Sequence, residues 1–395
     1  MKDADVVIIG GGILGSGVAQ CASAAGYRVI LVDKNKIAKA TSSNSSKLIH
    51  GGLRYLETAQ LKLVYESLSE RSFLLANAKD LVKPVKFYIP VYQSSQRKPW
   101  QLFAGLSLYY LLSGFSCYGQ FRRVKKKEWA AITGIRQEGM IALFQYWDAQ
   151  TDDHLLTSSV AQSAQAMGAE IYENYNCTKI EKKGESYVVE TESEGEIVKI
   201  NTKCVVNAAG PWGTEVAKKL VPRVPDIEVE LVTGSHVLLD ISASDHILYL
   251  ESHQDTRVVF VMPWYGKTLV GTTENAVKEA PDTFNASENE IRYLCEIYAH
   301  YFEQYSHDKL KSLIIRTFCG ARVLPKSSSN PFKRSRETMM KVYPEHQNVV
   351  TVLGGKLTTY RVTAKQTLAW LEKRLGKRSP VADFNKIALT KPKAE

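Results

Sequence analysis

The stretch DVVIIGGGILGSGVAQCASAAGYRVILVD, residues 5–33, decides the fold. Residues 5–9 are almost wholly apolar, which is typical of a strand buried on both faces of a parallel sheet. A helix is predicted over residues 13–25, where Gly26 ends it, and a second strand over residues 28–32 closes on Asp33. The stretch is therefore a strand–helix–strand unit of an α/β sheet.

The turn inside this unit fits the pattern GxGxxG at Gly10, Gly12 and Gly15. The first glycine allows a tight turn, the second lets a pyrophosphate approach the helix N-terminus, and the third lets helix and strand pack closely. Asp33 can accept hydrogen bonds from ribose hydroxyls. In this context the pattern predicts a dinucleotide site, but it does not by itself separate FAD from NAD.

A second segment favours FAD. Residues 203–212, KCVVNAAGPW, read as a buried strand ending in small residues, which lets another backbone segment approach a bound dinucleotide. In families with two dinucleotide-binding motifs such an ending lies close to FAD. The alternative is a central strand that simply runs into a turn. Residues 170–200 alternate apolar and polar residues and predict a β-meander leading into this strand.

Two polar, glycine-marked stretches lie far apart in the sequence. Residues 41–56 read TSSNSSKLIHGGLRYL, and residues 354–361 read GGKLTTYR before a helical run. The first cannot bury an apolar face, so it is not an ordinary core helix. The second again joins glycines, hydroxyls and two cations. Both are candidates for ligand contact, although serine-rich and threonine-rich loops are often only solvated.

Composition excludes several classes of protein. The 395 residues are 44% hydrophobic and 23% charged, with a formal net charge of +10, which is typical of a soluble globular chain with room for two domains. The charge suits a phosphorylated substrate or an anionic membrane surface, and no nucleic-acid module is visible. The six cysteines are scattered and predict reduced thiols in a cytoplasmic protein, and no metal-ligand spacing is visible.

One apolar stretch has two interpretations. Residues 100–115, WQLFAGLSLYYLLSGF, are too short for a spanning helix, and basic residues follow at Arg122, Arg123 and 125–127. The stretch is either a core-packing helix or an interfacial helix on an anionic membrane. The acidic residues near the N-terminus exclude a signal peptide.

A series of motifs now points to a family. They are SSKLIHGGLRYL (45–56), YWDAQTDDHLL (146–156), NAAGPW (207–212), GSH (234–236), VFVMPW (259–264), GTTE (271–274), GARVLP (320–325), SRE (335–337) and GGKLTTYR (354–361). In this order the series closely resembles the FAD-dependent glycerol-3-phosphate dehydrogenases over residues 3–375. The resemblance implies the fold of the glycine and D-amino-acid oxidases: an α/β, Rossmann-like FAD domain with an antiparallel-sheet substrate domain. We expect the FAD domain at 1–80, 147–222 and 335–395, and the substrate domain at 81–146 and 223–334.

The resemblance also implies which residues contact FAD. The expected cofactor residues are Gly10, Gly12, Ile13, Leu14, Gly15, Asp33, Lys34, Thr41, Ser42, Ser43, Ser46, Lys47, Leu48, His50, Gly51, Ala208, Ala209, Gly210, Trp212, Gly355, Lys356, Leu357 and Thr358. The positive end of the helix that follows Thr358 can stabilise negative charge on the reduced flavin.

Alcohol oxidation also needs a substrate handle and a base. Arginine suits a phosphate because its planar fork makes bidentate contacts. We assign Arg54 and Arg336 to the phosphate and Arg322 to the substrate oxygen, with Tyr55 and Lys356 also at the substrate; each arginine has a surface ion pair as its alternative. The base is His236 or, less favoured, His50, since imidazole titrates near neutral pH, or else solvent or another group.

The implied reaction is oxidation of sn-glycerol 3-phosphate to dihydroxyacetone phosphate, with electrons passing to quinone or another acceptor, including oxygen. Alternatives are another hydroxy acid or amine as substrate, or a flavin-binding subunit that needs a partner. Asp33, His154 and Thr233 depart from the residues common in the family, and the usual C-terminal helical cap is not expected. The protein is expected in the cytoplasm, with peripheral attachment to the inner face of the cell membrane left open.

Overall fold

Two large β-sheets and the helices around them form the fold. The computed structural model describes residues 1–132, 134–242, 244–326 and 338–392. The first sheet contains strands β1 (Lys2–Ile9), β2 (Val29–Asp33), β7 (Glu170–Glu173), β8 (Asn176–Lys183), β9 (Ser186–Ser193), β10 (Glu196–Asn207), β11 (Leu220–Val221), β18 (Met339–Tyr343) and β19 (His346–Leu353). At its centre β1 pairs in parallel with both β10 and β2, and β10 pairs in parallel with β19.

The second sheet is largely antiparallel. Its strands are β3 (Leu48–Ile49), β4 (Val82–Tyr92), β5 (Phe121–Arg123), β6 (Met140–Thr151), β12 (Val229–Ser242), β13 (Ile247–Glu251), β14 (Val258–Trp264), β15 (Lys267–Gly271), β16 (Asn275–Val277) and β17 (Ile314–Pro325). The long strand β12 pairs with β15, β16 and β17, so residues around His236 lie between two neighbouring strands.

The α-helices of the described residues connect and cover these sheets. They are α1 (Ile13–Ala24), α2 (Leu61–Asn77), α3 (Pro99–Leu112), α4 (Asp153–Ala166), α5 (Gly213–Ala217), α6 (Glu288–Tyr301), α7 (His307–Ser312) and α8 (Tyr360–Leu375). Short 3-10 helices include Thr41–Ser43, Leu53–Thr58 and Gly210–Trp212. In the described ranges, no helix combines the length and the apolar character needed to cross a membrane.

The core of the first sheet explains why α1 is almost wholly small and apolar. It packs against the sheet, α4 and α8 at once, so nearly every residue of the helix is buried. A Cβ atom on Gly17 would lie 2.5 Å from the Tyr360 ring of α8, so glycine permits this close approach. The hydrophobic effect thus fixes α1 with its N-terminus at the ends of β1 and β10.

Several element predictions are confirmed. The predicted helix over residues 13–25 is α1, the strand over 28–32 is β2, and the meander over 170–200 forms β7 to β10. The cysteines are free thiols, and all but Cys117 are buried.

The domain boundaries stay a prediction. Strand β3 at Leu48–Ile49 joins the second sheet although it lies within the predicted FAD domain, because it pairs with Gln150 and Ala149 of β6.

Candidate active site

A cleft lies at the carboxyl ends of the parallel strands, where the sequence predicts the dinucleotide. Gly10 has φ +109° and a Cβ there would lie 2.5 Å from the Ala208 carbonyl oxygen, so only glycine permits the β1 and β10 ends to come this close. Gly15 lies in the first turn of α1, where a Cβ would lie 1.8 Å from the Gly10 carbonyl oxygen. The predicted roles of these two glycines in tight turning and close packing therefore match the geometry.

Asp33 lies at one end of the cleft. Its carboxylate accepts hydrogen bonds from the Gly11 N–H at 2.6 Å and the Asn35 N–H at 2.7 Å. Burial raises the pKa of Asp33 above its ordinary value, against the opposing effect of these two hydrogen bonds. The neighbouring Lys34 ammonium lies 4.1 Å from the centre of the Trp212 ring. This end of the cleft therefore provides a carboxylate for the hydroxyls of a ribose and an aromatic face for a nucleobase.

The polar stretch after Ala40 runs along the middle of the cleft. Ser42 Oγ accepts a hydrogen bond from the Ile13 N–H at 2.9 Å, which ties this stretch to the N-terminus of α1. Thr41 Oγ1 donates to the Ala321 carbonyl oxygen at 2.9 Å, which ties it to β17. The stretch therefore connects the two sheets at the cleft.

The segment before α8 closes the far end. Gly354 and Gly355 have φ values of +79° and +81°, a conformation that glycine adopts without strain. The Lys356 ammonium lies 3.8 Å from the centre of the Tyr55 ring, and the His50 N–H donates to Thr358 Oγ1 at 3.3 Å. The two distant polar stretches thus meet in space.

Most of the predicted cofactor residues line this one cleft. They are Gly10, Gly12, Ile13, Leu14, Asp33, Lys34, Thr41, Ser42, Ser46, Leu48, His50, Ala208, Ala209, Gly210, Trp212, Gly355, Lys356, Leu357 and Thr358. Gly15, Ser43, Lys47 and Gly51 do not line it. Lys47 instead forms a buried ion pair with Asp153 at 2.6 Å, and Gly51 donates its N–H to the Tyr109 hydroxyl at 2.8 Å.

The residues present fit an FAD molecule. The pyrophosphate would lie at Gly12 and the N-terminal end of α1, where backbone N–H groups and the helix dipole favour an anion. Asp33, Lys34 and Trp212 would hold the adenosine end, and the segment from Gly355 to Thr358 the flavin end. Both ends lie in the same continuous cleft.

A smaller pocket adjoins the flavin end. In the described part of the chain its charged lining residues are Arg54, Arg257, Arg322 and Glu274. Arg322 Nη1 donates to Glu274 Oε1 at 2.7 Å, and Arg54 Nη2 lies 3.6 Å from the same oxygen. The structure therefore brings Arg54 and Arg322 together, as expected of two substrate arginines. Arg336 lies outside the described residues.

His236 is buried between the strands at the cleft. Its Nε2 lies 3.1 Å from Ser46 Oγ, and its ring stacks on Phe318 with centroids 4.8 Å apart. Burial, with Lys47 and Arg322 nearby, lowers the pKa of His236 to about 3. The imidazole is thus neutral at physiological pH, which is the form that can accept a proton.

A buried network supports the backbone beside His50. The Tyr109 hydroxyl of α3 donates to Asp148 Oδ2 at 2.8 Å, and Arg71 forms an ion pair with the same carboxylate. Burial raises the pKa of Tyr109 and of Asp148. Because Gly51 bonds to this network, the network fixes the polar stretch at the point where it passes the flavin end.

Sequence reasoning missed several lining residues. Glu274 lies in the quoted motif GTTE without an assigned role, and Arg257 precedes VFVMPW in β14 without any local signal. Tyr249 and Phe260 also line the adjoining pocket. The strand pattern predicts their burial, but only the pairing of β13 and β14 places them beside Arg54. Within the described ranges, no group of three or more His, Cys, Asp or Glu side chains is arranged to hold a metal ion.

Comparisons with known proteins agree with this geometry. A family profile described as "FAD dependent oxidoreductase" matches residues 5–369. Glycerol-3-phosphate dehydrogenase of Pseudomonas aeruginosa is 33% identical over 380 residues, which cover 93% of this chain and 71% of that protein. D-erythritol 1-phosphate dehydrogenase of Brucella abortus is 34% identical over 368 residues, covering 92% of this chain and 72% of that protein.

Solved structures share the fold. Glycerol-3-phosphate dehydrogenase of Bacillus halodurans, complexed with FAD, superposes with a TM-score of 0.76 at 23% identity, covering 98% of this chain and 68% of that one. L-alpha-glycerophosphate oxidase of Mycoplasma pneumoniae, with FAD bound, gives 0.77 at 20% identity and 98% of both chains. Glycine oxidase of Geobacillus kaustophilus gives 0.71 at 17% identity and 99% of both. The predicted fold class is confirmed, and the chain is a member of the FAD-dependent oxidoreductase family.

Proposed function

We propose that this protein oxidises sn-glycerol 3-phosphate to dihydroxyacetone phosphate, with FAD as its cofactor. The observation that carries the proposal is the arginine-lined pocket that opens off the cofactor cleft beside its flavin end. The residues that line both spaces are Ser46, Leu48, His50, Tyr55, Thr272 and Arg322. A substrate held by the arginines would therefore have its carbon chain beside the cofactor. Relatives named for phosphorylated polyols support the same conclusion.

The role of each substrate residue is inferred from its charge and from the space that it lines. Arg54 lines only the adjoining pocket, so it binds the phosphate end. Arg322 lines both spaces and polarises the substrate oxygen as it becomes a carbonyl. Arg336 keeps its proposed role at the phosphate, and Tyr55 and Lys356 border the substrate at the flavin end. When bound, FAD supplies the hydride acceptor.

The base takes the hydroxyl proton. His236 is our first choice because its imidazole is neutral and lines the cofactor cleft. Burial, together with the charges of Lys47 and Arg322, holds its pKa low. An anionic substrate or cofactor beside these two cations would offset their part of the effect and raise the pKa. His50, which lines both spaces, is the second candidate.

Initial rates with an artificial electron acceptor test the proposal. FAD-loaded protein should oxidise glycerol 3-phosphate and form dihydroxyacetone phosphate, and should not oxidise lactate, 2-hydroxyglutarate or glycine. Turnover of only the latter three substrates would contradict the proposal and would assign the arginines to a carboxylate.

A four-carbon polyol phosphate is the second candidate substrate. The Brucella relative is named for D-erythritol 1-phosphate, and its identity of 34% is as high as that of the glycerol-3-phosphate dehydrogenase at 33%. The same assay compares the two substrates directly, and a higher kcat/KM for erythritol 1-phosphate would favour this candidate.

We also propose that the electrons pass to quinone, or to another acceptor, at an anionic membrane surface. Helix α3 buries Leu102, Leu106 and Tyr109, so the core-packing interpretation is correct for one face. On its other face Trp100 is 71% exposed and Phe103 54% exposed, as an interfacial helix requires. Phe103 also contacts Phe121 of β5, with ring centroids 5.4 Å apart, which links the apolar face to the exposed basic residues Arg122, Arg123 and 125–127.

Sedimentation with vesicles tests the membrane proposal. The protein should bind vesicles with anionic lipid and not those of neutral phosphatidylcholine. Replacing Lys125, Lys126 and Lys127 by Gln should reduce binding by about 100-fold, since each cation near the surface contributes about 1 kcal/mol. Unchanged binding would exclude this cluster as the anchor.

A further inference from the structure

Glu274 is a built-in anion in the arginine pocket. It follows β15, and its side chain is only 7% exposed. Its Oε1 contacts Arg322 Nη1 at 2.7 Å and lies 3.6 Å from Arg54 Nη2. Arg257 Nη1 lies 3.5 Å from the backbone carbonyl oxygen of the same residue. A carboxylate therefore already binds Arg322 and lies beside Arg54 in the pocket that an incoming phosphate would enter.

The negative charge of Glu274 matters because a phosphate ligand is also an anion. A phosphate monoester carries about −1.5 to −2 at pH 7 because its second pKa is about 6. Glu274 repels such a group and partly neutralises the arginines that would attract it. Because the pocket is partly screened from water, both effects are larger than they would be on an open surface.

We propose that Glu274 is an affinity-setting residue that repels the substrate's phosphate beside Arg54 and competes with the substrate for Arg322. This inference rests on the proposed function, since it takes the pocket as the phosphate site. The competition weakens the binding of both the substrate and its phosphorylated product, so the product leaves more readily than it would from a pocket with unopposed arginines.

Binding of two non-reacting anions tests the proposal. Propyl phosphate and butyrate have matched three-carbon tails but different charges at pH 7.5. Their dissociation constants are measured from the change in the flavin absorbance spectrum of FAD-loaded protein. Glu274→Gln keeps an oxygen that accepts from arginine but removes the charge, so both anions should bind more tightly.

The size of the two changes distinguishes charge competition from altered shape. Coulomb energy is proportional to ligand charge, so propyl phosphate should tighten by about 30-fold and butyrate by only about 5-fold. In kinetics, the same variant should lower KM for glycerol 3-phosphate and strengthen inhibition by dihydroxyacetone phosphate.

Glu57→Gln is the matched control. Glu57 lies in the same 3-10 helix as Arg54, Leu53–Thr58, but pairs with Arg97 and has a side chain that is 48% exposed. Its replacement should change either dissociation constant by less than about 2-fold, since an exposed charge is screened.

Unchanged or weaker propyl phosphate binding in Glu274→Gln would overturn the inference, as would an equal effect of Glu57→Gln. These outcomes do not depend on turnover. If the wild-type protein binds propyl phosphate but glycerol 3-phosphate fails to reduce its flavin, the proposed reaction fails while the competition is still measured.

Discussion

The cofactor cleft and the arginine pocket adjoin each other but are built in different ways. The cleft depends on backbone approach, as at Gly10, and its nucleotide-binding turn, helix and acidic residue lie close together in the sequence. The pocket depends on side chains that come from the polar stretch, from β14 and the residue before it, from the segment after β15, and from β17. The comparison teaches that a local pattern can predict a backbone cradle, whereas a charge cluster requires the tertiary fold.

Gly10→Ala should disrupt the cofactor cleft and should have the largest effect of the substitutions considered. The added Cβ would lie 2.5 Å from the Ala208 carbonyl oxygen, and φ +109° is strained for alanine. We expect FAD binding to weaken by more than about 100-fold, since main-chain atoms on both sides cannot move independently. The measurement is the flavin-to-protein absorbance ratio after reconstitution.

Gly105→Ala is the control for that variant. Gly105 lies in α3, and a Cβ there would have open space around it. This change should leave flavin content unaltered and stabilise the helix by up to about 1 kcal/mol. Full flavin content in Gly10→Ala would show that the close approach is not needed for the cofactor.

Arg54→Lys should damage the pocket and spare the cleft. Lysine keeps the charge but lacks the planar fork, so the loss of charge-assisted hydrogen bonds to phosphate, about 1.5–3 kcal/mol, should raise KM for glycerol 3-phosphate by about 10–100-fold. Flavin content should remain at the wild-type level. Steady-state kinetics measure the change in KM, and the flavin absorbance measures the cofactor content.

Arg316→Lys provides the comparison, because Arg316 is exposed on β17, the strand that carries Arg322. It should leave KM unchanged. Equal KM values for Arg54→Lys and the wild type would remove Arg54 from the substrate site.

His236→Gln tests the buried imidazole at the boundary between the cofactor cleft and the arginine pocket. The folded pKa of about 3 lies below the ordinary value of 6.5, so the unfolded chain binds a proton that the folded protein does not. The associated stability is present above pH 6.5 and is lost as the pH falls towards 3. By proton linkage, the free energy of unfolding of the wild type should fall by about 2 kcal/mol between pH 7.5 and 5.0. His236→Gln should not show this loss.

Thermal unfolding at pH 7.5 and 5.0 in the absence of added FAD measures this difference. The melting temperature should fall less in His236→Gln than in the wild type, while replacement of the exposed His154 by Gln should behave as the wild type does. An equal fall in both His236→Gln and wild type would show that the buried imidazole does not couple to folding.

The sequence predicts the fold well for physical reasons that particular residues illustrate. The apolar run of β1, the glycine turn and Asp33 act within one short segment, so their spacing carries the information. Arg54, Arg322 and His236 were predicted through resemblance to a family, since no spacing relates them. Their structural proximity supports the predicted assignments, whose chemical roles stay predictions.

What the sequence did not predict depends on long-range packing. Lys47 was expected to contact FAD, but Asp153 at the start of α4 binds its ammonium in a buried ion pair. Glu274 could not be recognised because its importance arises only when Arg54 and Arg322 converge on it. In each case the decisive partner is remote in the sequence, and burial determines which charge pairs with which.

Anaerobic flavin reduction tests the central claim most directly. Purified, FAD-loaded protein is mixed with sn-glycerol 3-phosphate without oxygen, and the flavin absorbance is followed. The account predicts that the oxidised flavin band bleaches and that dihydroxyacetone phosphate appears in a one-to-one ratio with the flavin reduced. A flavin that stays oxidised with glycerol 3-phosphate, while the same preparation is bleached by dithionite, would contradict it.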